Sequence, residues 1–554
     1  MHGVIALQEQ LGQAYGHVIF RETVMEVAEN KNTISDKHVP VLLASILVIS
    51  ACAILYELLI STLSSYFWGS SILQFSITIG VFLSSMGLGA YLSRFITTRL
   101  LERFIVIEIW LALLGGLSAL ILNAAYTLTQ NYYLIAIGLI ILLGTLIGLE
   151  IPLLTRILRS YKNLRNTIAN VLSFDYLGAL LASLVFPFLL LPYLGVMKTS
   201  FVVGLLNLAV AAYSLFIFRR EVQKWGRKIM ATVAVFIALL GGFAAAVNIT
   251  GFFEKFVYQD EIIYTSQSPY QKIVLTRWKD DIRLFLNGNL QFSSVDEYRY
   301  HEPLVHIPML LAGEGTKNVL LLGAGDGLAA RDLLQHYSGC KITIVDLDKA
   351  VTDICASHPL ITGINQNALK NPAVTIVNDD AFNFIKNSNT RYDVVLIDLP
   401  DPHDPGLSKL YSREFYELVR QSLAVGGVVV TQATSPFFAT KPFWCIHNTM
   451  GQVFKQVVAY HTQVPSFGMW GFQMAYNLPQ QMETVVPSDS IAKHIAQKFS
   501  TKKWSKPLQY LNAATIPSMF VFENDVDRIK TEVNTLDNHA LLHYYEDSWK
   551  RFNP

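Results

Sequence analysis

Residues 392–405 read Tyr-Asp-Val-Val-Leu-Ile-Asp-Leu-Pro-Asp-Pro-His-Asp-Pro. The continuous apolar run 394–397 is typical of a buried strand in a parallel sheet. Such a strand carries Asp398 to its carboxyl end, where open α/β sheets bind their ligands. Asp401 and Asp404 follow at spacings of three, in a loop that prolines stiffen. A solvated acidic turn would explain one such motif alone, whereas three carboxylates on a rigid loop indicate a substrate that carries positive charge.

Four further short apolar runs in the second half of the chain are strand candidates. Helical patterns separate them, and they lie at residues 319–322, 342–345, 374–377 and 428–431. Upstream, residues 261–292 alternate around turn signals, with Asn287-Gly288 as a strong hairpin turn. The second half is therefore predicted to be an α/β, Rossmann-like domain with a small N-terminal β subdomain.

A glycine-rich turn follows the first of these strands. Residues 323–327 read Gly-Ala-Gly-Asp-Gly and precede a helical pattern that starts near Leu328. Glycines there let the backbone approach a ligand closely. Asp346, about twenty residues on, lies where an acid accepts the ribose hydroxyls of a nucleoside, and Asp380 ends a third strand and is placed to accept the exocyclic amine of an adenine. Acids at strand ends without a basic phosphate cradle favour an S-adenosyl ligand over NAD, and thus a class I S-adenosyl-type fold.

The first half of the chain has the composition of a membrane protein. The 554 residues are 52% hydrophobic and only 15% charged, which is too apolar for an ordinary soluble chain. Each of seven apolar segments reaches the roughly 20 residues that a helix needs to cross a bilayer. The segments are 40–62, 72–93, 104–125, 132–155, 168–192, 198–218 and 229–251. They predict a multi-pass α-helical membrane domain of about seven helices. No cleavable signal peptide is expected in the polar first 38 residues.

Four acids fall within or at the edge of these segments: Glu57, Glu108, Glu150 and Asp175. Ionisable groups at membrane depth are costly, and they usually face a cavity or a partner. They either bond to neighbouring helices or form a cation site inside the bundle.

Two classes of partner receive no support from the sequence. The four cysteines show no metal-ligand spacing, so no metal site and no disulfide framework are expected. The net charge is +1 and no basic stripe with interleaved aromatics occurs, so no nucleic acid partner is expected.

Residues 261 to about 525 resemble the polyamine aminopropyltransferases, the spermidine synthase family. The matching motifs, in order, are Ser268-Pro269-Tyr270-Gln271, Asn287-Gly288, Asp296-Glu297-Tyr298-Arg299-Tyr300-His301-Glu302, Leu322-Gly323-Ala324-Gly325-Asp326-Gly327, Asp379-Asp380-Ala381-Phe382, Asp398-Leu399-Pro400-Asp401-Pro402 and Leu410-Tyr411-Ser412. Bacterial members fused to a multi-pass membrane domain are known, and the first half resembles that arrangement.

The resemblance implies an enzyme that transfers the aminopropyl group of decarboxylated S-adenosylmethionine to a polyamine acceptor. Putrescine would become spermidine, methylthioadenosine would leave, and no resident cofactor would take part. By position, Asp398 resembles the catalytic base. The positions that resemble those holding the amine substrates are Tyr300, His301, Asp326 and Asp401, and those that resemble the nucleoside-binding positions are Gln271, Asp346, Asp380, Ala381 and Pro405. The family habit also implies a possible homodimer.

Composition and resemblance divide the chain into five predicted segments. They are a polar tail at 1–38, a transmembrane domain at 39–252, a β-hairpin subdomain at 253–295, the Rossmann-like domain at 296–525 and a C-terminal tail at 526–554.

Two other functions stay open on the sequence. One is an S-adenosylmethionine-dependent methyltransferase, although such enzymes usually carry an acid in the strand where this chain has Leu321. The other is a polyamine transporter or sensor with a non-catalytic binding domain, which the four acids in the apolar segments also allow. Two departures from the family pattern, Leu399-Pro400 between the loop aspartates and Val464 before Pro465-Ser466, bear on the choice of acceptor.

The side of the membrane on which the second half lies is contested by two arguments. Basic residues are concentrated in alternate loops: Arg94, Arg99 and Arg103; Arg156, Arg159, Lys162 and Arg165; Arg219, Arg220, Lys224, Arg227 and Lys228. The positive-inside rule makes these loops cytoplasmic, and seven spans then place residues after 252 outside. The nucleoside cosubstrate that the resemblance implies is made in the cytoplasm. We therefore expect a multi-pass protein of the inner cell membrane with a cytoplasmic active site.

Overall fold

In the computed structural model the described residues are 39–550, apart from 69–70, 160–163, 259, 314, 316 and 478–485. The predicted tail at 1–38 lies outside them. The chain divides into two units, the first ending at Phe253 and the second beginning at Glu254.

The first unit consists of helices, and α8 runs four residues past its end. They are α1 (Val39–Trp68), α2 (Ser71–Leu92), α3 (Leu100–Gly116), α4 (Ser118–Leu128), α5 (Tyr132–Arg159), α6 (Leu164–Val185), α7 (Leu191–Ile217) and α8 (Trp225–Val257). Among the described residues, five stretches are long and apolar enough to cross a membrane, and a sixth arises if α3 and α4, bent by 43°, form one span. One of the five is the 51-residue stretch Thr167–Ile217, which Gly195 interrupts with a φ of +68°. The predicted count of seven requires two crossings within that stretch.

Small residues bring the helices of this unit close together. A side chain at Gly148 of α5 would collide with the backbone of Met86 in α2, and one at Gly89 of α2 would collide with the backbone of Thr145 in α5. Packing through small residues is the usual way in which apolar helices associate when no water is present to drive them together.

The second unit opens with a four-stranded antiparallel sheet. Its strands, in spatial order, are β1 (Glu261–Gln267), β2 (Lys272–Trp278), β3 (Asp281–Leu286) and β4 (Asn289–Ser293). Asn287 and Gly288 connect the last two strands, and both have positive φ, 49° and 82°. This is the backbone that a two-residue hairpin turn requires, so the predicted turn is confirmed.

A seven-stranded sheet follows. Its strands are β5 (Asn318–Gly323), β6 (Lys341–Val345), β7 (Val374–Val377), β8 (Tyr392–Asp398), β9 (Leu423–Gln432), β10 (Val457–Val464) and β11 (Gly468–Tyr476), in the spatial order β10-β11-β9-β8-β5-β6-β7. Strands β5 to β9 are parallel to one another and contain the five predicted strands. The antiparallel pair β10 and β11, which no sequence pattern predicted, makes the sheet mixed.

Helices cover both faces of this sheet. They are α9 (Tyr298–Ala312), α10 (Leu328–His336), α11 (Lys349–Ser357), α12 (Pro359–Ile364), α13 (Ala381–Asn387), α14 (Pro405–Ser408), α15 (Arg413–Ser422), α16 (Thr440–Met450), α17 (Ser488–Thr501), α18 (Thr515–Ser518) and α19 (Ala540–Trp549). Val319 and Leu321 of β5 pack into one hydrophobic cluster, whereas Leu320 and Leu322 pack into another. Burial on both faces explains why the parallel strands read as continuous apolar runs.

The prediction of a separate C-terminal tail is wrong for the described residues 526–550, which belong to the second unit. Asn534 is fully buried, and its side-chain amide donates to the carbonyl of Ser408 at 3.0 Å. Leu541 of α19 is also fully buried, in the hydrophobic cluster that contains Leu320. The segment therefore belongs to the second unit, and α19 contributes one side chain to the candidate active site.

Candidate active site

The carboxyl ends of β5 and β8 meet at the centre of the sheet. Gly323, the last residue of β5, pairs in register with Asp398, the last residue of β8. Gly323 has a φ of +81°, and a side chain there would collide with the backbone carbonyl of Asp398. Only glycine allows this approach, which brings the glycine turn and the acidic loop together.

Asp398 is bound by a tyrosine from the first turn of α9. The hydroxyl of Tyr300 donates a hydrogen bond to Asp398 Oδ1. Exclusion of water by the surrounding protein, helped by the charge of Asp326, raises the pKa of Asp398 to about 6, although His301 and the Tyr300 hydroxyl oppose the shift. Asp398 is therefore ionised at neutral pH yet is a better proton acceptor than an exposed carboxylate.

His301 lies between two acids. Its Nδ1 is 2.9 Å from Glu297 Oε2, and its Nε2 is 3.9 Å from Asp326 Oδ2. Burial acts to lower the pKa of His301, but the hydrogen bond and charge of Glu297, with Asp326 and Asp398 nearby, raise it to about 9. His301 is thus a cation at neutral pH, a poor lining for an ammonium but a good orienting partner for Asp326.

Arg331 fixes the far end of this chain of charges. Its two terminal nitrogens donate to the two carboxylate oxygens of Glu297, at 2.7 and 3.1 Å. Burial acts to raise the pKa of Glu297, but the hydrogen bonds and charges of His301 and Arg331 lower it to about 2. Glu297 lies in a quoted motif, but no sequence signal indicated that Glu297 and Arg331 together hold His301.

The loop that carries Asp326 is held from two sides. Asp326 Oδ1 accepts from the backbone N–H of Leu328 at 2.9 Å, at the start of α10. Its backbone carbonyl accepts from the side chain of Asn365 at 2.8 Å, and the same amide donates to the carbonyl of Cys355 at 3.0 Å. Asn365 is fully buried, and no motif in the sequence indicated it.

Asp346 lies at the end of β6, beside the glycine turn. Its Oδ2 accepts from the backbone N–H of Gly325 at 3.1 Å, and its Oδ1 accepts from that of Asp348 at 3.0 Å. The water-poor surroundings raise its pKa to about 6. The side-chain amide of Gln271 donates to Asp348 Oδ2 at 3.0 Å. Asp348 therefore links Gln271 to Asp346.

Asp380 is engaged by two groups. It caps α13 by accepting from the backbone N–H of Asn383 at 3.0 Å, and its Oδ2 is 2.7 Å from the amine of Lys409. Burial acts to raise the pKa of Asp380, but Lys409 and the helix N–H groups lower it. Two of the predicted nucleoside residues begin helices, Ala381 in α13 and Pro405 in α14. An adenine amine at Asp380 must compete with Lys409, which no sequence pattern indicated.

Asp401 is bound by residues from distant parts of the chain. Its Oδ2 accepts from the hydroxyl of Tyr545 in α19 at 2.9 Å, and its Oδ1 accepts from the amide of Gln432 at 3.3 Å. Burial raises its pKa. Tyr411 and Gln432 also bind the carbonyl of Leu399, at 3.1 and 2.7 Å, which fixes the loop. Tyr411 lies in a quoted motif, whereas no sequence signal pointed to Gln432 or Tyr545.

Asp404 does not join the other two acids of the loop. Its Oδ1 accepts from the backbone N–H of Leu407 at 2.9 Å and caps α14. The expectation of three carboxylates for a cationic substrate is therefore reduced to two, Asp398 and Asp401, because the third is used by a helix end.

Aromatic side chains of the hairpin β10–β11 surround Tyr300. The ring centroids of Phe467, Trp470 and Phe472 lie 6.4, 6.5 and 5.4 Å from that of Tyr300. Phe467 and Trp470 are partly buried, whereas Phe472 and Val464 are fully buried in the hydrophobic core. Since aromatic faces attract organic cations, this wall suits an amine substrate.

The chain is similar to several known proteins. Residues 297–485 match the spermine/spermidine synthase domain. The chain is similar to a polyamine aminopropyltransferase of Leptospira interrogans, with 41% identity over 507 residues that cover 92% of this chain and 98% of that protein. It is also similar to polyamine aminopropyltransferase 1 of Streptomyces coelicolor, with 39% identity over 95% of this chain and 98% of that protein. A solved spermidine synthase in complex with the transition-state analogue AdoDATO is 24% identical, with a TM-score of 0.41, over 48% of this chain and 87% of that chain.

Proposed function

The chain belongs to the spermine/spermidine synthase family, and we propose that this polyamine aminopropyltransferase makes spermidine from putrescine. Its cosubstrate is decarboxylated S-adenosylmethionine, and the transfer needs no metal or other cofactor. The relatives of 38–41% identity cover more than nine-tenths of this chain, including the first unit. The proposal extends to three further points: putrescine as the acceptor, the roles of individual residues, and the membrane location.

The reaction sets the demands on the site. The lone pair of an amine nitrogen attacks the aminopropyl carbon next to the sulfonium, and a C–N bond forms. The C–S bond breaks, its electron pair stays on sulfur, and neutral methylthioadenosine leaves. Aliphatic amines have pKa values near 10, so the attacking amine arrives protonated. The site must hold a cation and remove one proton from it.

The hydrogen bond from Tyr300 to Asp398 is the observation that carries the assignment of the base. It points one oxygen of Asp398 at α9 and leaves the other to receive the proton of the attacking amine. The raised pKa of Asp398 brings it closer to the pKa of that amine, which makes the transfer more efficient. Asp398 therefore serves as the general base, and Tyr300 orients it.

Asp401 binds the second ammonium of the acceptor. It lies three residues beyond the base on the same loop, and Tyr545 and Gln432 hold its two oxygens in place. A diamine such as putrescine carries one charge at each end, so two separated carboxylates match it. The partly buried rings of Phe467 and Trp470 cover an apolar chain between the two ends.

Asp326 selects the cosubstrate. Beside the cationic His301, it attracts the ammonium of the aminopropyl arm and repels the carboxylate of ordinary S-adenosylmethionine. Asp346 accepts the ribose hydroxyls, with Gln271 and Asp348 next to it, and Asp380 accepts the adenine amine. Leu321, at the position where methyltransferases of this fold carry an acid, is fully buried in the core. The family and these acids together argue against methyl transfer.

We also propose that the first unit spans the inner cell membrane and that the catalytic unit faces the cytoplasm, where its cosubstrate is made. Five apolar stretches of sufficient length among the described residues support the first part. Six crossings return the chain to the side of its N-terminus, whereas seven place the second unit outside. The positive-inside rule alone favours seven, because only then do all three basic loops share one side. The proposed cytoplasmic side therefore rests on where the cosubstrate is made, and it requires an even number of crossings.

Introduced cysteines decide the sidedness, because Cys340, Cys355 and Cys445 are all buried. Thr390→Cys lies on an exposed loop of the second unit, and Thr98→Cys lies in a basic loop of the first. In intact cells, an impermeant maleimide should spare both. Labelling of Thr390→Cys alone would place the catalytic unit outside.

The acceptor is tested with purified full-length protein, decarboxylated S-adenosylmethionine and a panel of diamines and triamines. Methylthioadenosine release should be fastest with putrescine, with spermidine identified by mass spectrometry. A faster rate with a longer amine would overturn putrescine as the acceptor, and methylated product from S-adenosylmethionine would overturn the reaction.

A further inference from the structure

Four helices of the first unit each contribute a buried polar side chain to one cluster. Its members are Tyr56 of α1, Glu108 of α3, Glu150 of α5 and Asn207 of α7, each at most 1% exposed. The amide of Asn207 donates to Glu108 Oε2 at 2.9 Å. We call these four residues the Glu108 cluster. It lies in a unit to which no catalytic role is assigned.

The cluster has more acceptors than donors. Glu108 Oε1, Glu150 Oε1, Asn207 Oδ1 and the hydroxyl of Tyr56 have no hydrogen-bond partner among the described residues. The carboxyl groups of Glu108 and Glu150 are neighbours in this cluster. Asn207 is tied to Glu108 through its nitrogen, and the oxygen of the same amide is left without a partner. Buried polar atoms without a hydrogen-bond partner are rare in folded proteins, so four in one cluster indicate a ligand.

No basic side chain of the described residues neutralises the cluster. By contrast, Glu102, at the start of the same helix α3, is paired with Lys228 at 2.7 Å. Among the described residues, the first unit thus provides a basic partner for an acid at a helix end but no basic partner for Glu108 and Glu150 in its interior. Unpaired acids inside a helical bundle usually mark a path or site for a cation.

We propose that the Glu108 cluster binds the protonated amine end of a polyamine. An alkylammonium has three N–H donors, no acceptor and one positive charge, which matches a site of buried oxygens with a carboxyl pair. A neutral ligand would leave the negative charge of the carboxyl pair uncompensated. A guanidinium would bring a planar fork of five donors to a site of four oxygens. The choice of a polyamine among ammonium ions rests on the proposed function, since the second unit would produce one.

Equilibrium binding of radiolabelled spermidine to the full-length chain in lipid nanodiscs tests the proposal. The wild-type chain should bind one spermidine more than the Glu108→Gln/Glu150→Gln variant, whose side chains keep their size. Glu102→Gln, which removes an acid from the same helix outside the cluster, should bind as the wild type does. Ethanolamine and sodium chloride, added as competitors, distinguish a lipid headgroup amine or a metal cation from a polyamine. Displacement of the extra spermidine by either at equal concentration would overturn the choice of ligand.

Equal stoichiometry in the wild type and the double variant would overturn the site, and would show that the two glutamates only share a proton. If the double variant does not fold, Tyr56→Phe replaces it. Loss of one unpaired hydroxyl should weaken the extra site severalfold, and unchanged affinity there would count against the proposal. Aminopropyl transfer is measured on every variant and should be unchanged by Glu108→Gln/Glu150→Gln. Absence of aminopropyl transfer in the wild-type chain would refute the proposed function without bearing on the membrane site.

Discussion

The hydroxyl of Tyr300 donates to Asp398 Oδ1, so the first turn of α9 and the last residue of β8 meet at one carboxylate. The residues at this meeting point come from motifs about a hundred positions apart in the chain. The parallel sheet brings the strand end into place, and the packing of α9 against the sheet supplies the tyrosine. The effects expected of substitutions at Asp398 and Tyr300 depend on this contact.

Replacing Asp398 by Asn should abolish transfer while leaving the nucleoside bound. Loss of a general base typically slows a reaction by roughly 10²–10⁴-fold. Single-turnover rates and the affinity for methylthioadenosine are the measurements. Asp404→Asn is the matched control, because Asp404 lies on the same loop and only caps α14, a task that Asn performs equally well. Full activity of the Asp398 variant would refute its role as base.

Replacing Tyr300 by Phe should shift the acidic limb of the pH–rate profile to higher pH. The base must be ionised, so activity falls as the pH drops through the pKa of Asp398, about 6. The Tyr300 hydroxyl stabilises the ionised form, and its loss therefore raises that pKa. The measurement is kcat/KM against pH for both proteins. A limb that stays in place, or moves to lower pH, would contradict the assigned hydrogen bond.

The second unit should become less stable at alkaline pH, because deprotonation of His301 removes its ion pair with Glu297. The folded-state pKa of His301, about 9, exceeds its unfolded value of 6.5, so the pair's contribution is complete below pH 6.5 and disappears as the pH rises through 9. A shift of this size corresponds to on the order of 3 kcal/mol. Urea unfolding followed by a fluorophore at Thr390→Cys should show this decline between pH 7 and 9.5. His301→Gln should remove most of it, and an equal decline in that variant would assign the effect to other groups.

Replacing Asp326 by Asn should reduce the preference for decarboxylated over ordinary S-adenosylmethionine by at least tenfold. At an effective dielectric near 20, two like charges about 4 Å apart cost about 4 kcal/mol, and partial exposure of Asp326 reduces this. The measurement is the ratio of inhibition or binding constants for the two nucleosides. Asp353→Asn, in an exposed pair with Lys349, is the control and should keep the wild-type ratio. Unchanged selectivity in the Asp326 variant would reject its role.

Short-range signals predicted the parts of the fold that depend on them. The apolar runs of β5 to β9 and the Asn287-Gly288 turn each specify their own backbone, and the structure contains all of them. The hairpin β10–β11 was missed because the polar residues 461–463 follow the short apolar start of β10, and Gly471 and Gln473 interrupt the apolar residues of β11. Partners such as Asn365, Gln432 and Tyr545 were missed for another reason. Each binds a residue of the site that lies more than thirty positions away in the chain, and only tertiary packing brings such pairs together.

Replacing Lys409 by Met should tighten the binding of methylthioadenosine. In the structure, the amine of Lys409 occupies the oxygen of Asp380 that the adenine amine needs, at 2.7 Å. Both side chains are partly exposed, at 34% and 23%, and such pairs are worth at most about 1 kcal/mol, so the gain should not exceed about fivefold. Calorimetric titration of the full-length protein measures it, and the gain should shrink at high salt, where the ion pair is already weakened. Lys349→Met is the control, because its pair with Asp353 lies on the exposed side of α11 and touches no proposed ligand residue. Weaker binding in the Lys409 variant would mean that Lys409 assists the nucleoside instead of competing with it.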